Sequence, residues 1–192
     1  FLALLAVSPD AKDGKIDSKA EFLITMDWPD NHPDDFDLFV QDPAGNIAWY
    51  RRREAGFLTL DRDDRGGAND FIVVNGKKIL SPIREEIVTV RGIVAGEYTV
   101  NVSHFQATTG QPVSVSVKVQ KLNPAAQVIF DNKLTLDHTG HEKTAVRFWL
   151  DAAGKVIDVQ ERQKSLMETF RNVRANGADL DPKTGVRMPR RE

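Results

Sequence analysis

The chain has 192 residues, 41% of them hydrophobic and 28% charged, no cysteine, and a formal net charge of −2. The missing cysteines exclude disulfides, thiolate metal centres and a cysteine nucleophile. The near-neutral charge supplies no basic face for nucleic acid. The length is enough for one domain with a sizeable core.

The first seven residues, Phe1 to Val7, are all apolar. A membrane-spanning helix needs about 20 such residues. The run reads as the end of a longer anchor helix; a cleaved signal-peptide remnant and a buried strand are the alternatives. Residues 8–18 carry turn formers and charges without an apolar period, and read as a linker.

From Lys19 the apolar period becomes two. Ala20, Phe22, Ile24 and Met26 alternate with Glu21, Leu23, Thr25 and Asp27, the pattern of a half-buried strand. Phe36, Leu38 and Val40 repeat it. Asp42-Pro43-Ala44-Gly45-Asn46 makes a turn into a paired strand over Ile47 to Tyr50. Asn75-Gly76, between Phe71–Val74 and Lys77–Leu80, is the strongest short hairpin signal. Further short strands follow at Glu86–Val90 and Tyr98–His104. Val113, Val115, Val117 and Val119 bury one face of the next. Strands at 128–130, 134–136, 145–150 and 156–159 complete the series. Helical spacing enters only with Leu166, Met167, Phe170 and Val173, where Ser165 and Glu168 form a capping box.

Many short strands with regular turn signals predict an all-β chain: an antiparallel β-sandwich, jelly-roll or Ig-like, with a C-terminal helix and a flexible tail. The expected organisation is anchor end 1–7, linker 8–18, sandwich 19–160, helix 161–176 and disordered tail 177–192. A seam is possible at Asn123-Pro124.

No Gly-x-Ser-x-Gly elbow, phosphate-binding loop or dinucleotide fingerprint is present, so the chain reads as non-enzymatic. Two acidic stretches precede and follow short strands. If they converge, Asp35, Asp37, Asp61 and Asp63 are the candidate ligands of a Ca²⁺ ion, which takes several oxygens from flexible loops. The competing reading is turn capping and salt bridging, with Arg62 and Arg65 interleaved. Trp49 and Tyr50 are the candidate binding surface, a sugar platform if the chain is instead a Ca²⁺-stabilised adhesion or carbohydrate-binding module of a secreted protein; on a strand they face opposite ways, so one leaves the core. His138 and His141 lie three apart in a Thr-Gly turn, and read as solvated loop residues because zinc needs three or four convergent ligands.

Three phrases carry a resemblance: Asp35-Phe36-Asp37-Leu38-Phe39-Val40 with Asp42-Pro43-Ala44-Gly45-Asn46, then Gly56 to Asp63, then Gly96-Glu97-Tyr98-Thr99-Val100. Together they resemble the YfaP-like family of exported bacterial β-sandwich domains, and are similar to bacterial pre-peptidase C-terminal domains. Gly67-Ala68-Asn69-Asp70 departs from that family's usual Gly-Pro-Glu. The whole layout resembles single-span proteins encoded with TolQ/ExbB/MotA-type proton-channel subunits. That resemblance implies a periplasmic domain held to the inner membrane by an N-terminal helix. Its partner would be an envelope protein such as a proton-channel subunit, with a homo-oligomer as a further possibility.

Overall fold

A computed structural model describes residues 19–66 and 71–168. The expected anchor, linker and tail, and the second half of the expected C-terminal helix, lie outside them. No helix among the described residues is long and apolar enough to cross a membrane.

Among the described residues there are thirteen strands: β1 Phe22–Asp27, β2 Asp35–Gln41, β3 Ile47–Ala48, β4 Glu54–Ala55, β5 Leu58–Arg62, β6 Phe71–Val74, β7 Lys77–Leu80, β8 Glu85–Val90, β9 Gly96–Gln106, β10 Val113–Lys121, β11 Gln127–Leu136, β12 Glu142–Leu150 and β13 Val156–Gln160. They form a six-stranded sheet ordered β11-β10-β1-β8-β5-β4 and a five-stranded sheet ordered β13-β12-β9-β2-β3. Every pairing is antiparallel. The two sheets stack as a sandwich, as the period-two alternation predicts.

The inward parity of each strand fills the core. Phe22, Ile24 and Met26 of β1 meet Val115, Val117 and Val119 of β10 from within one sheet. Phe36, Leu38 and Val40 of β2 and Tyr98, Val100 and Val102 of β9 answer from the other. The Tyr98 and Phe148 rings stack at 5.1 Å, and Tyr98 resolves its buried hydroxyl by accepting Val94 N–H at 3.0 Å. The seam at 123–124 does not divide the sandwich. β11 pairs with β10 and β12 with β9, so strands from both sides of it share both sheets.

The expected strand over Ile47 to Tyr50 is shorter, because only Ile47 and Ala48 pair with β2. Trp49 instead bridges to Arg52 in a turn. Leu58–Arg62, quoted above only within a resemblance, is a full strand beside β8. β6 and β7 form a separate two-stranded sheet, closed by Asn75 and Gly76 at φ 50 and 77. Of the expected helix over 161–176, residues 161–168 are described, and only Leu166 to Glu168 are helical. Glu168 N–H donates to Ser165 Oγ at 2.9 Å, one half of the expected capping box.

Candidate functional site: an acidic seam at the open edge of β2

β2 is paired along its length with β9, but on its other side β3 reaches only Val40 and Gln41. The first half of β2 is therefore an edge facing the end of the six-stranded sheet. Glu86 closes the gap. On β8 it shares inward parity with Val88 and Val90, so its carboxylate points into the sandwich. Its Oε2 accepts Leu38 N–H at 2.7 Å, joining one sheet to the edge of the other.

Asp37 and Asp63 complete the cluster. One carboxylate oxygen from each of Asp37, Asp63 and Glu86 lies within 4.8 Å of the others. Asp63 is delivered by the loop after β5, which is pinned to the Asp34 segment. Gly66 sits at φ +61, and a Cβ there would meet the Asp34 carbonyl oxygen at 2.6 Å. Only glycine tolerates both the angle and the approach. Asp64 fixes the same loop: its carboxylate accepts Gly66 N–H at 2.9 Å and lies 3.7 Å from the buried Arg84 guanidinium. Asp35 completes the acidic line, with a buried Oδ1 that has no hydrogen-bond partner.

Electrostatics follow from burial. Glu86 is 1% exposed, and its Oε1 has no hydrogen-bond partner. Burial, then the Asp37 charge, push its carboxyl well above the usual range. Burial, with the charges of Asp35 and Asp63, pushes Asp37 up to about 8. Burial, with Asp63 and Asp64, pushes Asp35 up to about 6. Neighbouring carboxylates that cannot all ionise together need either shared protons or a cation.

Two of the four expected ligands, Asp37 and Asp63, thus converge with Glu86, while Asp35 lies near enough to interact with them through its charge but is not in that group. Asp61 does not converge with them. It stands on the parity opposite to the buried Leu58 and Leu60, and the register shift between Leu60 and Arg62 changes the facing of the residues that follow it. There its carboxylate accepts the Thr89 hydroxyl and pairs with Arg91 at 3.0 Å. Glu86 was missed by sequence reasoning. The available signal was a charged residue at the inward parity of Glu86-Ile87-Val88-Thr89-Val90.

Trp49 and Tyr50 do not face opposite ways, because the strand has ended. Their rings meet edge to face at 4.8 Å. Trp49 stacks on Phe39 at 5.3 Å, and the Arg51 guanidinium lies over both rings, at 5.8 and 5.3 Å. Tyr50 meets Phe105, which is 46% exposed, at 5.5 Å. The ring faces are largely engaged within the protein, not laid out as an open platform.

Beside the seam, Asp34 is fully buried and satisfied. It accepts Thr108 and Thr109 N–H at 2.9 Å each and the Thr109 hydroxyl at 3.1 Å, and its other contact is His104 Nε2 at 3.0 Å. Burial raises its carboxyl, but the hydrogen bonds outweigh that and hold it below the ordinary value. That environment fits a structural tie; the seam, with unpartnered oxygens, does not.

Comparison with protein-family models, with curated proteins and with solved structures returns no match for this chain.

Proposed function

We propose that this chain is a non-catalytic binding domain of the cell envelope whose sandwich edge is completed by a hard divalent cation, Ca²⁺. The observation that carries the reading is Glu86, a fully buried carboxyl group with an oxygen within 4.8 Å of carboxylate oxygens of Asp37 and Asp63. Ca²⁺ takes about six to eight oxygen ligands and tolerates irregular geometry. Asp37, Asp63 and Glu86 supply the charge, Asp35 lies alongside, and backbone carbonyls or water fill the remaining positions. Bound there, the ion ties the β2 edge, the loop after β5 and the start of β8 into one rigid end, and so preorganises the loops that meet a partner. Calorimetric titration tests this directly. One saturable Ca²⁺ site is expected, lost in Glu86→Gln and kept in Asp61→Asn. No heat with millimolar Ca²⁺ contradicts the reading.

The envelope placement rests on the apolar residues 1–7, the polar linker and the resemblance to proteins encoded with proton-channel subunits. The partner that resemblance supports is a membrane protein of the channel-subunit class. Fractionation of the gene product with a reporter after Glu192 checks it. Retention in the membrane after a carbonate wash is expected; release into the soluble periplasmic fraction contradicts the anchor.

A further inference from the structure

The turn between β11 and β12 reads Asp137-His138-Thr139-Gly140-His141, and it brings three potential metal ligands together. Asp137 Oδ1 lies 2.5 Å from His138 Nδ1 and 2.7 Å from His141 Nδ1. The two imidazoles stack, 4.7 Å between centroids and 18° between planes. The backbone beneath is fixed. His141 N–H donates to the His138 carbonyl at 3.0 Å, and Gly140 N–H to the His104 carbonyl at 2.8 Å. His104 N–H returns to the His141 carbonyl at 2.9 Å, and Ala107 N–H donates to Thr139 Oγ1 at 2.9 Å. The ligands therefore stand on an ordered turn beside the long strand β9.

The proton on His141 Nδ1 decides which of two contacts is a hydrogen bond. Asp137 N–H points at His141 Nδ1, 3.3 Å away, which requires a lone pair on that nitrogen. The same nitrogen faces the Asp137 carboxylate oxygen at 2.7 Å, which requires a proton. An imidazole nitrogen carries one or the other. With a proton on His141 Nδ1 the 2.7 Å contact is a hydrogen bond to the Asp137 carboxylate; a metal ion that displaces that proton would take the nitrogen and the carboxylate oxygen as ligands together.

We infer that Asp137, His138 and His141 form a surface site for a borderline divalent transition metal such as Zn²⁺, distinct from the acidic seam. Two imidazoles and one carboxylate are the donor set that Zn²⁺, Ni²⁺ and Cu²⁺ prefer, whereas Ca²⁺ and Mg²⁺ prefer oxygen alone. Three protein ligands leave coordination positions open. The side chains of His138 and Asp137 are 68% and 54% exposed, so those positions face solvent and admit a ligand from outside the chain. A donor side chain of a second protein or a water molecule fits there.

The test titrates the whole chain with Zn²⁺ while Ca²⁺ is in excess, and follows the imidazole ¹⁵N resonances. One saturable equivalent is expected, shifting His138 and His141 but not His32. Second-shell partners of a metal typically matter by about 10–100-fold in affinity, so loss of a ligand must cost at least roughly tenfold. That loss is expected in both His141→Asn and His138→Asn. The second change is at an exposed side chain and leaves the fold intact. Glu86→Gln should bind Zn²⁺ as the wild type does, which separates this site from the seam. Zn²⁺ binding that is unsaturable, or undiminished in both histidine variants, overturns the inference.

Discussion

A carboxylate buried beside other carboxylates is expensive, and Glu86 is one of three in the seam whose burial raises their proton affinity. Unfolded, Asp37 releases its proton near 3.8; folded, it holds it until about 8. Between those values the folded state binds more protons, so this group's contribution to stability is lost as pH rises. Asp35 adds the same sign over the window from 3.8 to about 6. His104, buried and held below 6.5, works the other way: its contribution is present above 6.5 and is lost as pH falls from there through its lower folded value. The seam is therefore isolated by difference. In EDTA, Asp37→Asn should gain stability relative to wild type as pH rises from about 5 to about 8, read from urea midpoints. Parallel curves would remove the electrostatic account. At this scale the sequence was partly legible. Acidic residues flanking short strands pointed to Asp35, Asp37 and Asp63. Asp61 was misplaced although it alternates with the buried Leu58 and Leu60, because it was grouped with Asp63 across a register shift that only the strand pair reveals, and Glu86 was overlooked because a charged residue on an apolar parity reads as a strand end.

Elements differ in how much they contribute to the whole. β6 and β7 pair only with each other, and Phe71, Val73, Val74, Ile79 and Leu80 are all exposed, between 39% and 67%. An isolated two-stranded sheet is marginal in water. Replacing residues 71–80 with a short Gly-Ser linker is expected to leave the denaturation midpoint nearly unchanged, because β5 and β8 pair directly without them. Loss of cooperative unfolding would show the hairpin to be structural. The segment at 163–168 is the opposite case. Leu166 is fully buried against Phe39 and Ile47, with Trp49 packed alongside. Glu142 of β12 accepts the Ser165 hydroxyl at 2.5 Å and Leu166 N–H at 2.8 Å. Leu166→Ala should cost about 2–4 kcal/mol by chemical denaturation; no change would mean the segment is not docked in solution. Asn75-Gly76 and Ser165 with Glu168 were readable because turns and caps are local. The Glu142 contact was not, since it joins residues more than twenty positions apart.

Across the whole molecule, parity located the core while pairing stayed hidden. β1 lies between β10 and β8, each distant in the chain, and no periodicity specifies such partners. Val117 stands at the centre of that arrangement with no exposure. Val117→Ala is expected to cost about 2 kcal/mol, and an unmoved midpoint would contradict its inward assignment. The sandwich leaves one end incompletely paired, along β2, and the acidic seam occupies that end. The account's central claim is that a cation closes it. Thermal unfolding at about pH 8, in EDTA and in millimolar Ca²⁺, tests that claim most directly. The wild-type midpoint should rise by roughly 5 °C in Ca²⁺, as ligation near a hundredfold its dissociation constant implies for a chain this size, and Glu86→Gln should hardly respond. Identical wild-type midpoints in the two buffers would contradict the claim.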